Sequence, residues 1–205
     1  EGINVTIPYK NLILPFVDGL SLEAKETRSV NTIYKDKGKI VGHNTDIEGF
    51  EFAIQDTKFN ITNKEIFILG AGGVVPSIIF ALKKMGVNKI VVSNRTKKKA
   101  EDLKKFFLDV EIIDWGKNID FDMIINTTSL GLKNEDQIKL DFSKTGSNKL
   151  FYDVIYNPSK TNFLLKGEKL GNKIKNGKMM FIYQAQLAFK IWHNILPKVK
   201  DNLLD

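Results

Sequence analysis

Residues 66–154 alternate short apolar runs with amphipathic stretches, and this rhythm constrains the fold more than any other feature of the chain. The runs at 66–69, 89–93, 110–113, 123–126 and 150–154 have strand length, while 76–85 and 97–107 carry apolar residues at helical spacing. Strands separated by helices do not pair as hairpins; they form a parallel sheet with helices on its faces, so an α/β fold is expected. The first strand runs directly into Gly70-Ala71-Gly72-Gly73 and then a helical pattern over 74–82. Glycines let the backbone approach a pyrophosphate at a helix N-terminus, which makes these four residues candidate cofactor contacts. The plainer alternative is a tight strand-to-helix turn. Val75 stands where the general dinucleotide fingerprint has its third glycine. Pro76 is compatible with a first helical turn, where amide protons have no intrahelical acceptor.

The strand at 90–93 ends in Asn94-Arg95-Thr96. An NAD site places a carboxylate at such a strand end to hold the ribose hydroxyls. Arg95 instead offers a planar cation for a 2′-phosphate and an adenine face, so NADP(H) is the expected cofactor.

The first fifty residues are organised differently. They read as a short apolar segment, a helix broken by Pro15, a hairpin turning at Asp36-Lys37-Gly38, and a helix that Thr45 or Asp46 can cap. Two polar clusters interrupt them, Asn4-Val5-Thr6-Ile7-Pro8-Tyr9-Lys10 and Asn44-Thr45-Asp46, with Asn31-Thr32 between. An ammonium, a carboxylate and amides in apolar settings are the groups needed to pass a proton to a hydroxylated substrate. A helical pattern over 180–196 ends at Pro197, and it places Gln184 on one face with Met180, Leu187, Ala188 and Ile191. An amide so placed needs partners for its hydrogen bonds, and a polar ligand is one candidate.

Composition narrows the chemistry. The absence of cysteine excludes disulfides and thiolate catalysis, and two histidines, His43 and His193, argue against a histidine-based metal site. A net charge of +7 arises from lysines spread along helical segments, with no recognition motif for nucleic acid, and it favours anionic small molecules. Neither a membrane-spanning apolar run nor a signal-like N-terminus is present, so a cytoplasmic protein without membrane partners is expected.

Taken in order, the Asn-Val-Thr cluster, Asn31-Thr32, Asn44-Thr45-Asp46, the glycine turn, Asn94-Arg95-Thr96, Ile125-Asn126-Thr127-Thr128-Ser129, Tyr152-Asp153-Val154-Ile155-Tyr156 with Pro158 and Thr161, and Gln184 resemble the shikimate dehydrogenase family from Gly2 to about Pro197. The resemblance implies reversible NADPH-dependent reduction of 3-dehydroshikimate to shikimate. It implies Lys10 and Asp46 as the catalytic pair, with Thr6, Asn31 and Gln184 on the substrate's hydroxyls and Tyr156 on its carboxylate. Thr128 and Ser129 would lie near the nicotinamide, and the oligomeric state would be monomer or homodimer. The layout it implies is a partial substrate domain at 1–59, a Rossmann-like NADP domain at 60–178, and a helix at 179–205 returning to the substrate domain. Family members carry strands and paired serines ahead of the Asn-Val-Thr motif, so the chain is expected to be N-terminally incomplete. Two alternatives remain at this stage: a quinate/shikimate dehydrogenase, and a non-catalytic NADP-binding fragment.

Overall fold

The computed structural model describes residues 2–199. A small sheet comes first: β1 (Gly2–Asn4), β2 (Gly19–Leu20), β3 (Thr32–Asp36) and β4 (Lys39–His43), in the order β1-β3-β4-β2. Asp36 pairs with Lys39, so the hairpin turn consists of Lys37 and Gly38, with φ of 47° and 85°. Both angles are positive, as a type I′ turn requires. The helix expected around Pro15 is not formed. Only a 3₁₀ turn exists at Leu14–Phe16, because proline lacks an amide proton and disfavours helical geometry at the residue before it. The helix of this region lies downstream as α1 (Leu22–Thr27), where Ser21 caps the Ala24 amide and Arg28 closes the end at φ 49°.

After α2 (Asp46–Asp56) come β5 (Glu65–Leu69), α3 (Val75–Lys84), β6 (Lys89–Ser93), α4 (Lys97–Leu103), β7 (Glu111–Ile113), β8 (Met123–Asn126) and β9 (Leu150–Asp153), the elements anticipated from the apolar runs, then α5 (Asn162–Lys169) and β10 (Lys173–Lys175), which were not anticipated, and α6 (Lys178–His193). The six strands pair in parallel in the order β10-β9-β8-β5-β6-β7. Alternate residues of β5 point to opposite faces. Ile66 and Ile68 join the core under α2 and α3, while Phe67 and Leu69 join the core under α5. Each of the four is fully buried, worth about 1.5–3 kcal/mol apiece. The strand order reverses beside β5, since the chain runs out through β6 and β7 and returns to β8 on the other side. Crevices at the C-terminal ends of such strands are where open α/β sheets bind ligands.

Helix α6 closes the structure over α2. Gly49 permits the contact: a Cβ there would lie 2.9 Å from the Gln184 amide nitrogen. Trp192 Nε1 donates to the Ile33 carbonyl at 2.9 Å and so ties α6 to the small sheet. The helix ends at His193 rather than running to 196, because Asn194 turns into the left-handed region at φ 54° and returns its amide to Lys190. Similarly, α4 stops at Leu103 rather than continuing to 107. Residues 200–205 of the expected C-terminal unit lie outside the described residues. Among the described residues no helix is long and apolar enough to cross a membrane.

Candidate active site

Lys10 follows the cluster after β1, and Asp46 begins α2. The Lys10 Nζ donates to Asp46 Oδ2 at 2.6 Å, with side-chain exposures of 16% and 7%. A carboxylate in the first helical turn is favoured by the macrodipole, which adds to the attraction of the ammonium. Asn31 sets the other carboxylate oxygen, donating from Nδ2 to Asp46 Oδ1 at 2.9 Å. Thr45 occupies the N-cap position of α2 but makes no side-chain cap bond. Its amide and hydroxyl instead meet the Asn31 side chain, the amide donating to Asn31 Oδ1 at 2.8 Å. The buried Asn31 amide is thereby held on both its atoms. Its Nδ2 lies within hydrogen-bond distance of Asp46 Oδ1, Thr45 Oγ1 and Gln184 Oε1, at 2.9, 3.0 and 3.4 Å.

Lys10, Asn31, Asp46 and Gln184 line a cavity of about 480 Å³ together with Asn4, Thr6 and Tyr156, with Thr45 behind them. Thr6 is exposed on the turn after β1, not on a strand. Tyr156 lies beyond β9 and stacks on Phe181 of α6, with centroids 5.0 Å apart and planes at 24°. Gln184 is half-buried at the cavity wall rather than enclosed among apolar side chains, because α6 presents it to the cleft. The protein supplies partners for it: Nε2 donates to the Phe181 carbonyl at 2.9 Å and Oε1 receives Asn31 Nδ2 at 3.4 Å.

A second cavity, about 570 Å³, occupies the crevice where the strand order reverses. Gly70, Ala71 and Gly72 form one wall, Asn94, Arg95 and Thr96 another, and Thr128 and Ser129 the third. Gly70 has φ 112°, and a Cβ there would strike the Thr127 hydroxyl, so only glycine turns the chain at this point. At Gly72 and Gly73 a Cβ would meet nothing within 4 Å, which leaves open space beside the N-terminus of α3. Arg95, Lys99 and Lys139 bring positive charge to the lining, and no carboxylate is part of it. Open backbone at a helix start, a cationic rim and no acid fit a phosphorylated dinucleotide.

Gly73 lines a third space instead, about 750 Å³, with Lys10, Pro76 and Arg28. This space shares Lys10 with the first cavity and Gly72 with the second, so it lies between them and adjoins both. Sequence reasoning placed Asn4 in its polar cluster without giving it a role, and missed Lys99, Trp115, Gln137 and Lys139 as lining residues. Of these four only Trp115 carried a signal, being one of two tryptophans and following an apolar run. Lys97, at the start of α4, is paired with Asp114 at 2.7 Å, whereas no salt bridge holds Arg95 among the described residues.

Comparison with known proteins agrees with this geometry. Residues 1–33 match the family model of the shikimate dehydrogenase substrate binding domain, and residues 52–129 match that of shikimate / quinate 5-dehydrogenase. Shikimate dehydrogenase (NADP(+)) of Pelagibacter ubique is 59% identical over 208 residues, covering 100% of this chain and 78% of the relative. Among solved structures, shikimate dehydrogenase from Aquifex aeolicus superposes with a TM-score of 0.89 at 36% identity, covering 97% of this chain and 74% of that one. The enzyme from Thermus thermophilus, in complex with NADP(H) and shikimate, superposes with a TM-score of 0.87 at 30% identity, covering 96% and 74%. With its parallel sheet, its cationic crevice, its lysine–aspartate pair and this likeness along its length, the chain belongs to the shikimate dehydrogenase family.

Proposed function

We propose that the chain is an NADP-dependent shikimate dehydrogenase, interconverting 3-dehydroshikimate and shikimate. The observation that carries the mechanism is the Lys10–Asp46 pair at 2.6 Å, with Lys10 also lining the space that adjoins the glycine-lined crevice. NADP(H), when bound, supplies or accepts the hydride. Lys10 gives its proton to the ring oxygen that becomes the hydroxyl and takes it back in the reverse direction. Asp46 holds the ammonium in place and balances its charge. Thr6, Asn31 and Gln184 offer hydrogen bonds to ring hydroxyls, and the Tyr156 hydroxyl reaches for the carboxylate.

Residues that would hold the cofactor are Gly70, Ala71, Gly72 and Gly73 at its phosphates, Asn94, Arg95 and Thr96 at the adenosine end, and Thr128 and Ser129 toward the ring. Arg95 suits a 2′-phosphate through paired charge-assisted bonds, and the absence of a carboxylate from the lining disfavours NAD. The functional division we propose is a substrate part over 1–59, a nucleotide part over 60–178, and the closing helix from 179. The enzyme would work in the cytoplasm, as a monomer or homodimer.

The test is shikimate-dependent NADPH formation, with NAD and quinate as parallel arms. Turnover with shikimate and NADP alone supports the reading. Quinate turnover at a comparable rate would favour the quinate/shikimate alternative, and NADP binding without turnover would favour a binding fragment.

A further inference from the structure

Asp153 ends β9 fully buried, beside Asn126 at the end of β8, with which it is in register. Its Oδ1 accepts from Asn126 Nδ2 and from the Ile155 amide, both at 3.0 Å, and its Oδ2 accepts from the Thr161 hydroxyl at 2.6 Å. These contacts lead to two walls of the cleft. Asn126 also donates to the Leu130 carbonyl at 3.0 Å, and its Oδ1 receives both the amide and the hydroxyl of Thr128, at 3.0 and 2.7 Å. That loop lines the nucleotide crevice. The Ile155 amide belongs to the turn between Val154 and Tyr156, which both line the substrate cavity. Thr161 caps α5 by accepting from the Leu164 amide, anchoring the far end of the same turn.

We propose that Asp153 is a positioning residue that couples the two ligand cavities, holding the Thr128–Leu130 wall through Asn126 and the Tyr156 turn through the Ile155 amide. It touches neither cavity itself. Three donors converge on one carboxylate, and bonds to an ionised acceptor are about twice as strong as neutral ones. A single buried group therefore sets both walls together, and this inference rests on the functional reading above.

Burial pushes the Asp153 carboxyl up to about 6, against the opposing effect of the Thr161, Ile155 and Asn126 hydrogen bonds. The groups acting on it are neutral: Asn126 from β8, Thr161 at the cap of α5, and the phenol of Tyr152 on its own strand, itself raised by burial. Protonation weakens Oδ1 as an acceptor for both walls at once. The affinities for both ligands should therefore fall together as the pH drops through the same value.

The test is calorimetric titration of NADP and of shikimate, separately, into the wild type, Asp153→Ala and Asp153→Asn. Asp153→Ala is expected to weaken both ligands by about tenfold, since two donors lose their acceptor. Asp153→Asn keeps an uncharged acceptor, so both affinities should weaken by about threefold and stop varying between about pH 5 and about pH 7. If Asp153→Ala does not fold, Asp153→Asn and, as a separate single variant, Asn126→Ser carry the test: cutting the Asn126 arm alone should weaken NADP and leave shikimate unchanged. Weakening of one ligand only by either Asp153 variant, or equal weakening of both by Asn126→Ser, overturns the coupling. Wild-type protein that binds neither ligand overturns the functional reading and the coupling with it.

Discussion

The Lys10 ammonium lies 2.6 Å from the Asp46 carboxylate although 36 residues of chain separate them. The Lys10 carbonyl accepts from the Val30 amide at 2.8 Å, which pins the loop beside β3 next to Asn31. Asn31 then fixes the other oxygen of Asp46. The lysine is thus held by its backbone and by its charge, and the carboxylate by two donors. A pre-set pair of this kind loses little freedom when a substrate arrives.

Lys10→Ala should lower turnover with shikimate by about 10²–10⁴-fold, the usual worth of a positioned acid–base group. NADP affinity should stay within about twofold, because proton transfer matters in the transition state and not in nucleotide binding. Asp46→Asn should fall in the same direction. Steady-state kinetics beside cofactor titrations separate the two quantities, and near-normal turnover in either variant would remove the proposed roles.

Arg95→Ala should erase most of the preference for NADP over NAD. Charge-assisted bonds contribute about 1.5–3 kcal/mol, so NADP should weaken by about tenfold or more while NAD changes little. Competitive titration of the two cofactors reads this directly. An unchanged ratio would assign the 2′-phosphate to Lys99 or Lys139 instead.

Asn44→Ala should destabilise the fold by about 2 kcal/mol. The buried Asn44 amide donates to Thr27 Oγ1 at 3.0 Å and Ser77 Oγ at 2.9 Å, and its carbonyl receives the Asp46 amide at 3.1 Å. It bridges α1, α3 and the start of α2, so its loss strands polar groups on all three. Thermal unfolding should show Tm lowered by about 4–8 °C. A Tm equal to that of the wild type would mean that water replaces these bonds without cost.

Asp153 should make stability depend on pH in an unusual sense. Its carboxyl is raised from 3.8 to about 6, so across that window the folded state keeps a proton the unfolded chain has released. Its contribution favours folding at the acid end and is lost as the pH rises to about 6, by on the order of 3 kcal/mol. Denaturant unfolding of the wild type and Asp153→Asn at several pH values isolates the effect. The stability of the wild type relative to the variant should decline with rising pH and then level off; a flat or rising difference would contradict it. The ionised form that holds both cavity walls firmly is also the form that is costly to bury.

The alternating strands and helices from β5 onward were legible because periodicity of two or 3.6 residues is a local property. Strands β6 and β8 were read to the residue, and the type I′ hairpin announced itself through Lys37-Gly38. The short elements were not legible: β2 has two residues and β10 three, too few to show a period, and α5 is marked mainly by the Thr161 cap. The helix broken by Pro15 shrinks to the 3₁₀ turn at Leu14–Phe16, since proline's geometry limits the residues before it as well as its own position.

By itself the sequence determined the fold class, the glycine turn and the residue types that carry charge to the cleft, since each follows from covalent geometry, local spacing or side-chain chemistry. Tertiary structure alone decided that Asn31 serves Asp46 and Thr45 as well as the cavity, that Gly72 lines both the nucleotide crevice and the space beside Lys10 whereas Gly73 lines only the latter, and that Asp153 contacts both walls. Each depends on which strands become neighbours. Asn126 and Asp153, 27 residues apart, meet only because β8 and β9 pair in register. That pairing is selected by burial of both sheet faces over the whole domain, a collective energy that no local window of sequence contains.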